Sequence, residues 1–425
     1  MIDRKPNISY TLRHNLCTGC GVCEGACPTT AISFVARNGE FRPQINEALC
    51  NNDKGCHRCY DVCPGVGVNL VAIANEKFND AEATTDYMAG RYLKCFSGCS
   101  NDYDIRYHSA SGGMITQFLI FLLEKGYIDG AVVTKFDPQK ELLVNSFIAR
   151  TKQDILDAKS SKYSPVTLNT AASDIKATEG KYIIVGLPCH IQGFRKLEAI
   201  DKKFRERIAG YFTIYCSSGR SFYLTEHVFK ERNIDKTKLS YFAYRDDGCL
   251  GSMVVKGKVK GEDCTYKERF QSYYHPLRSF FIPYRCLFCY DHYGELGDIS
   301  FGDIHVDPYI DDKVGVNSLI VRNRVHLDWL LEAKKEGAIT LDEISVDVVN
   351  SSQDMAYKKK GSHTTFIKLC KMFGMTMPVY DREHKDSNKL KSVIAFVHTR
   401  MQQYIGKHKK MWFLIDYLKG KSPER

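Results

Sequence analysis

The chain has 425 residues, and 44% of them are hydrophobic, which is enough to build ordinary buried cores in two or three domains. Its most apolar stretch, at 114–123, is too short for a bilayer-spanning helix, which needs roughly 18 or more apolar residues, so we predict no transmembrane segment. The formal net charge of +10 is not concentrated in one block, and no nucleic-acid-reading module accompanies it. Nucleic acid is therefore not an expected partner.

The first predicted unit is a cysteine-rich segment that holds eight of the 17 cysteines. Residues 17–28 read C-x-x-C-x-x-C-x-x-x-C-P, the run with which bacterial ferredoxins bind one iron-sulfur cube while the fourth thiolate reaches a second cube. Residues 56–64 repeat the second half of that run, and Cys50 supplies the missing thiolate. The sequence predicts two [4Fe-4S] clusters, one held by Cys17, Cys20, Cys23 and Cys63 and the other by Cys27, Cys50, Cys56 and Cys59.

Between the two runs, Asn38-Gly39 tolerates the positive φ angles of a type I′ turn and predicts a β-hairpin. Zinc is the alternative metal, but zinc sites usually come as two C-x-x-C pairs a dozen or more residues apart. The chain begins without a secretory signal pattern. We therefore expect a cytoplasmic protein whose cysteines bind metal instead of forming disulfides.

Small residues at 109–113 lead directly into the apolar run at 114–123. A helix start of this kind leaves backbone N–H groups and the positive end of the helix dipole free to hold a phosphate. The alternative is a Ser N-cap on a buried helix, since Ser-Gly-Gly is a weak motif. The polar loop at 160–165 contains a cation, Lys162, and an aromatic ring, Tyr163. Either these two side chains contact a cofactor, or they are ordinary exposed loop residues. The candidate cofactor-binding residues are Ser109, Ser111, Gly112, Gly113, Thr116, Ser161, Lys162 and Tyr163.

The apolar runs at 182–190 and 209–219 each read as a buried strand that ends in a turn and precedes a helix. This alternation predicts a parallel α/β sheet, in which ligands gather at the carboxyl ends of the strands. Cys189 and Cys216 lie at two such ends, and a C-x-x-C at 286–289 offers two more thiolates. We predict that Cys189, Cys216, Cys286 and Cys289 hold a third iron-sulfur cluster. Zinc is the rival metal at this site, and Cys95 with Cys99 are the rival ligands to Cys189 and Cys216.

With these motifs together, the chain resembles the family of coenzyme F420 hydrogenase and dehydrogenase beta subunits, which also includes the plant 7-hydroxymethyl chlorophyll a reductase. The resemblance implies a flavin, expected to be FAD, near 109–116 and 161–163, with iron-sulfur clusters passing electrons to it. It also implies a two-electron donor or acceptor that meets the flavin. The segments that carry it span about residues 92 to 330 and are 109–116, 161–163, 185–190, 215–217, 244–246, 286–291, 298–303 and 317–322.

The expected fold is an α+β ferredoxin-like N-terminal domain followed by an α/β flavin-binding domain and a helical C-terminal region. We place the ferredoxin domain at 1–76, a polar linker at 77–91, the flavin and iron-sulfur oxidoreductase domain at 92–346 and the mostly helical region at 347–425. The basic and apolar segment at 407–418 either docks on its own protein or makes a peripheral contact with a membrane.

The expected function is that of an iron-sulfur flavoprotein oxidoreductase, in which the flavin exchanges two electrons with a small carrier or substrate. The alternative is a non-catalytic electron-transfer subunit that delivers electrons to a partner reductase. Either function requires a redox partner protein, such as a ferredoxin or an oxidoreductase subunit, and the basic net charge suits an acidic one. The sequence assigns no catalytic residue, and no Gly-x-Gly-x-x-Gly follows a predicted strand to indicate a nicotinamide donor.

Overall fold

The computed structural model describes residues 6–138, 140, 144–277 and 279–420. The strands are β1 Ile32–Arg37, β2 Glu40–Ile45, β3 Gly67–Val68, β4 Thr84–Asp86, β5 Gly90–Tyr92, β6 Lys94–Ser100, β7 Gly130–Phe136, β8 Val144–Ala149, β9 Tyr182–Gly186, β10 Ile208–Ile214, β11 Ile234–Asp246, β12 Ser252–Val259, β13 Glu262–Arg269, β14 Ile299–Asp303, β15 Asn317–Val321, β16 Ile339–Ile344 and β17 Val379–Tyr380.

The helices alternate with these strands through the middle of the chain and dominate its end. They are α1 Ser9–Arg13, α2 Val22–Ala26, α3 Arg58–Asp61, α4 Leu70–Lys77, α5 Tyr103–Tyr107, α6 Met114–Glu124, α7 Lys152–Asp157, α8 Ala171–Ala177, α9 Pro188–Ile200, α10 Lys202–Arg207, α11 Phe222–Glu231, α12 Phe270–Tyr274, α13 Arg324–Lys335, α14 Val346–Ser352, α15 Asp354–Met372, α16 Lys389–Lys407 and α17 Ile415–Leu418.

The cysteine-rich segment forms short helices around the hairpin β1–β2, whose strands pair antiparallel from Ile32 opposite Ile45 to Arg37 opposite Glu40. The turn residues Asn38 and Gly39 have φ angles of 53° and 78°, so the predicted type I′ turn is confirmed. Helix α2 begins after Gly21, where φ is 94° and a Cβ would lie 2.4 Å from the backbone nitrogen of residue 169. Only glycine allows this close packing of the segment against the following domain.

The following domain is built on one large sheet with the strand order β16-β6-β15-β14-β10-β9-β7-β8. Strands β7, β9, β10 and β14 run parallel, whereas β8 and β15 are antiparallel to their neighbours β7 and β14. The parallel sheet that the sequence predicts is therefore a mixed one. The connections at 137–143 and 304–316 are short and return the chain antiparallel, whereas parallel neighbours need a crossover of a dozen or more residues, usually with a helix.

Helix α6 lies at the centre of the domain, as its apolar sequence predicts. It is buried from Met114 to Leu122 on most sides and belongs to the core that joins the middle of the large sheet to helix α13. The ring of Phe118 stacks on Phe212 of β10 with 5.5 Å between the ring centroids. This packing fixes the start of α6 at one edge of the sheet.

Residues 77–91, which the sequence predicts to be a linker, contain the end of α4 and the hairpin β4–β5. The fully buried guanidinium group of Arg322 donates to the carbonyl oxygen of Ala89 at 3.0 Å and to the hydroxyl of Ser300 at 2.6 Å. A second arginine, Arg324, forms an ion pair with Asp80 at 3.0 Å. The segment is thus packed on the sheet, and its polar composition reflects ion pairs instead of an extended connector.

A three-stranded antiparallel sheet, β11-β12-β13, has no counterpart in the sequence analysis. Strand β13 is polar and largely exposed, so the apolar periodicity that identifies strands is absent there. Its partners hold it in place, with Val255 opposite Tyr266, and α11 covers the sheet through the ring contact of Phe229 with Phe242. The end of β11 places Arg245 beside the large sheet.

The C-terminal region is mostly helical and returns to the cysteine-rich segment. Strand β17 pairs in parallel with β3, and the Asp381 carboxylate accepts a hydrogen bond from the backbone N–H of Ala72 at 2.9 Å. Helix α15 packs on the turn that contains the C-x-x-C motif, where the hydroxyls of Tyr290 and Thr364 lie 3.0 Å apart. Across the described residues, no helix has the length and apolar character needed to cross a membrane.

Candidate functional site: three cysteine sets and the carboxyl edge of the sheet

The chemistry-bearing residues meet at one edge of the large sheet. Strands β9, β10 and β14 are parallel, so their carboxyl ends lie side by side. Cys189 lies in the first turn of α9 after β9, Cys216 follows β10 by two residues, and Asp303 ends β14. Strand β15 starts at the same edge, where Asn317 pairs with Asp303. Ligands are expected at this edge of an open α/β sheet.

The first thiolate set, defined as Cys17, Cys20, Cys23 and Cys63, is buried as one group. Desolvation, followed by the charge of Cys63, raises the pKa of the Cys20 thiol to about 12. The thiols of Cys20, Cys17 and Cys63 act in the same direction on Cys23, whose pKa is raised mainly by burial. The structure thus brings together the four residues that the sequence assigns to one cluster.

The second thiolate set, defined as Cys27, Cys50, Cys56 and Cys59, surrounds a cavity that residues before α1 and on β1 and β2 also line. Backbone and side-chain amides point at the sulfurs: the N–H of Ala31 donates to Cys27 Sγ at 3.3 Å, and Asn7 Nδ2 donates to Cys50 Sγ at 3.7 Å. Such hydrogen bonds are typical of cluster-ligating thiolates. Three of the four thiols of this set are partly buried, whereas all four thiols of the first set are buried.

The third thiolate set, defined as Cys189, Cys216, Cys286 and Cys289, comes from three separate parts of the chain. Desolvation raises the pKa of Cys189 well above its ordinary value, and the neighbouring thiols of Cys20, Cys216, Cys286 and Cys289 add to the rise. The backbone N–H of Gly219 donates to Cys286 Sγ at 3.3 Å. Four thiolates are what a [4Fe-4S] cluster takes as ligands, so each of the three sets fits one cluster.

The first and third thiolate sets are directly connected. Arg285, which precedes Cys286, donates from Nη2 to the carbonyl oxygen of Pro64 and from Nε to that of Gly65, each at 3.1 Å. Those two residues follow Cys63 of the first set, and Lys196 on α9 donates to the carbonyl oxygen of Cys63 at 3.1 Å. Cys59 of the second set acts electrostatically on Cys23 of the first, so the three sets form a continuous series that ends at the sheet edge.

Cys95 and Cys99, the rival ligands in the sequence analysis, lie on β6 away from the third thiolate set. Cys95 is opposite Ile320 of β15, and Cys99 is opposite Thr340 of β16. Burial raises the pKa of Cys95 to about 12. Among the described residues, the charged groups that act on Cys95 are Arg322, Asp86 and Glu343, and none of them is a cysteine. The geometry favours Cys189 and Cys216 over this pair, and the ligand assignment remains a prediction.

The two segments proposed for the flavin meet through Arg245, which the sequence analysis did not assign to the site. Its guanidinium group donates to the carbonyl oxygen of Ala110, to the Tyr163 hydroxyl at 3.3 Å and to the Asp303 carboxylate at 2.9 Å. Ser160 donates from its hydroxyl to the Arg245 carbonyl oxygen. Arg245 is 4% exposed, so its charge is fully committed to holding 109–111, 160–163 and β14 together.

The start of α6 is occupied by protein groups. Asn317 Oδ1 accepts a hydrogen bond from the Met114 backbone N–H at 3.2 Å, and a Cβ on Gly112 would lie 2.9 Å from that side chain. The hydroxyls of Ser109 and Ser111 donate to backbone carbonyl oxygens, of Ile105 and Val316. The small residues thus serve close packing at this position, and a phosphate contact at the helix start stays a prediction.

Two cations near these segments suit an anionic group. The ammonium of Lys162 donates to the carbonyl oxygens of Ala158, Lys159 and Ser160, and desolvation, followed by the charge of Lys159, lowers its pKa to about 7. The buried Arg220 donates from Nη1 to Ser218 and to a backbone carbonyl oxygen, while its Nε has no partner among the described residues. Arg220 also acts electrostatically on both Cys216 and Tyr163, so it lies between the third thiolate set and the flavin segments.

Comparison with protein families identifies all three parts of this arrangement. The 4Fe-4S dicluster domain matches residues 16–68. The N-terminal model of the coenzyme F420 hydrogenase/dehydrogenase beta subunit matches 95–172, and the model of its C terminus matches 179–347. The chain belongs to the family of coenzyme F420 hydrogenase/dehydrogenase beta subunits. The resemblance inferred from the sequence motifs is confirmed, together with the fused 4Fe-4S domain.

Relatives of this beta-subunit-like chain are oxidoreductase components. The chain is 24% identical to an F(420)H(2) dehydrogenase subunit of Methanosarcina mazei over 87% of its own length and 96% of that protein. It is 26% identical to the coenzyme F420-dependent sulfite reductase of Methanocaldococcus jannaschii over 77% of its length, but it spans only 48% of that reductase. An oxidoreductase role follows from these relationships.

A chain of the F420-reducing [NiFe] hydrogenase complex from Methanosarcina barkeri superposes with a TM-score of 0.54 at 19% identity. The match covers 70% of this chain and 98% of that chain. At this identity the likeness concerns the fold, and it confirms the mixed α/β architecture. Flavin binding by this chain is a separate question.

Proposed function

We propose that the chain is an iron-sulfur flavoprotein oxidoreductase in which three [4Fe-4S] clusters connect a redox partner protein with FAD at the carboxyl edge of the large sheet. The observation that carries the proposal is the continuous series of the three thiolate sets. Arg285 ties the first set to the third, and the third lies at the edge where Arg245 joins the two flavin segments. A series of one-electron centres ending beside a second cofactor is the arrangement that electron transfer requires.

The thiolate sets would hold the clusters in a fixed order. Electrons would enter at the second set, which is the end of the series away from the sheet edge, and reach the first set through the shared helices α2 and α3. From there the proximity of Cys20 to Cys189 leads to the third set. Each set supplies its own four thiolates, so no ligand from a partner protein is needed.

The flavin would lie against 109–116 and 161–163. Arg245 holds these segments in place, while Lys162 and Arg220 supply positive charge for an anionic cofactor. When bound, a flavin exchanges two electrons with a carrier and single electrons with clusters, so it supplies the chemistry that side chains lack. We propose a soluble two-electron carrier as its substrate, and the names of the relatives make coenzyme F420 the first carrier to test.

The second candidate is a subunit that only delivers electrons to a partner reductase. One observation favours it: a solved structure with the same fold is a chain of a hydrogenase complex. In that case the chain would bind its clusters and a partner subunit, and a soluble carrier would not react with it alone.

Cofactor analysis and turnover of the anaerobically purified chain separate the two candidates. The enzyme hypothesis predicts about twelve iron atoms, four for each thiolate set, and one acid-released FAD per chain. It also predicts reduction of a one-electron dye by reduced coenzyme F420 in the absence of any partner. Retention of iron without flavin or turnover would support the electron-transfer subunit instead, and a zinc-containing, iron-free protein would contradict both.

A further inference from the structure

Lys360 is a buried cation that has no polar partner among the described residues. It lies on α15, beyond residue 347 where the family match ends, and only 1% of its surface is exposed. Within the part of the chain that the structure describes, Lys360 makes no hydrogen bond and no ion pair. Lys358, two residues earlier, is exposed and pairs with Asp354 at 2.5 Å. Burying an ammonium group without a counter-charge is costly, so an anionic group is expected beside it.

Lys360 acts electrostatically on two thiols of the third thiolate set and on the buried imidazoles of His292, His363 and His384. An imidazole is neutral or cationic, so only the thiols can supply a negative counter-charge. Desolvation raises the pKa of Cys216 to about 12, and Lys360 provides the first of the charges that oppose this rise. It acts in the same direction on Cys286. Helix α15 also touches this set directly, since the ring of His363 lies 2.9 Å from the Cys289 carbonyl oxygen. The C-terminal region thus completes one side of the site.

The other cations of the site are already engaged with backbone oxygens. Arg220 donates to the carbonyl oxygens of Ser218 and Gly219, and Arg285 donates to those of Pro64 and Gly65. Lys360 differs from these two arginines because its ammonium makes no hydrogen bond to any described residue. It is a point charge on a flexible stem, which suits an anion whose negative charge is spread over several thiolates.

We propose that Lys360 compensates the charge of the third cluster and thereby raises its reduction potential. The inference rests on the proposed function, because it requires an iron-sulfur cluster at this site. A four-thiolate cluster gains one negative charge on reduction, and a buried ammonium stabilises that state more than the oxidised one. Lys360 is a positioning and tuning residue here, and it would favour electron flow from the ferredoxin segment toward the sheet edge.

The test compares Lys360→Met, which removes the charge, with Lys360→Arg, which keeps it, and with Lys358→Met as the matched control on the same helix. Each full-length variant is purified anaerobically, analysed for iron and titrated with a reductant while the electron spin resonance of each cluster is recorded. At a given potential we expect about a tenfold lower ratio of reduced to oxidised third cluster in Lys360→Met, which is about 59 mV for a one-electron couple. Lys360→Arg and Lys358→Met should titrate like the unmodified chain.

The outcomes distinguish a failure of the proposed function from a failure of the role of Lys360. An unmodified chain with only about eight iron atoms would contradict the third cluster and so the proposed function. Full iron content with an unshifted third cluster in Lys360→Met would overturn the role of Lys360 alone. If Lys360→Met loses the third cluster and Lys360→Arg retains it, the charge is required and the inference stands. Loss of that cluster in both variants would contradict a role of charge.

Discussion

The substitution Cys189→Ala tests whether the third thiolate set holds a cluster. Cys189 contributes the only thiolate of this set that comes from α9, and the charges of Cys20, Cys216, Cys286 and Cys289 all act on it. Alanine is preferred to serine because a serine oxygen can replace a thiolate as an iron ligand. The rival ligands Cys95 and Cys99 are held on β6, which pairs with a strand on each side, and so cannot take the place of Cys189.

The expected magnitude follows from the three sets. The unmodified chain should contain about twelve iron atoms, and Cys189→Ala should contain about eight, because one set loses its cluster while the first and second sets remain intact. Iron and sulfide analysis measures the total, and electron spin resonance of the reduced protein shows which cluster is missing. Cys95→Ala serves as the matched control and should keep all iron. Unchanged iron and spectra in Cys189→Ala, or loss of about four iron atoms in Cys95→Ala, would refute the ligand assignment.

Two further predictions concern the cations of the flavin segments. Arg245→Met should lower the free energy of unfolding by about 3 kcal/mol, because the largely buried Asp303 loses its arginine partner at 2.9 Å and keeps only His305 at 3.5 Å. Arg232→Met breaks the pair with Glu268, in which the arginine is more exposed, and should cost about 1 kcal/mol. Anaerobic urea titrations measure both, and equal losses would contradict the reasoning. Desolvation, followed by the charge of Lys159, lowers the pKa of Lys162 from 10.5 to about 7. Between these two pKa values the unfolded chain binds more protons than the folded chain, so the free energy of unfolding should rise with pH in this range. Lys162→Met should flatten the rise in urea midpoints measured from about pH 7 to about pH 10, and an unchanged slope would count against it.

The sequence by itself determined the features that depend on the spacing of residues within short segments. The two cysteine runs specify their clusters because closely spaced thiolates around a Cys-Pro end can reach one cube. Asn38-Gly39 specifies its turn because few residues adopt positive φ there. The motifs spread from 109 to 322 were enough to indicate the family, and the apolar run at 114–123 was enough to indicate a central helix.

Tertiary structure decided what depends on contacts between distant residues. The sheet is mixed because short connections reverse the chain, and the polar strand β13 exists because its neighbours hold it. The sequence favoured Cys189 for the third set because it lies at a strand end, but spacing alone did not exclude Cys95. The position of Cys95 on β6 separates the two. Arg245 lies in one of the segments that carry the family resemblance, but its contacts follow from no local pattern, and Lys360 belongs to no motif. Their roles arise because the fold buries their charges at one edge of a sheet, where each charge must find a counter-charge far away in sequence.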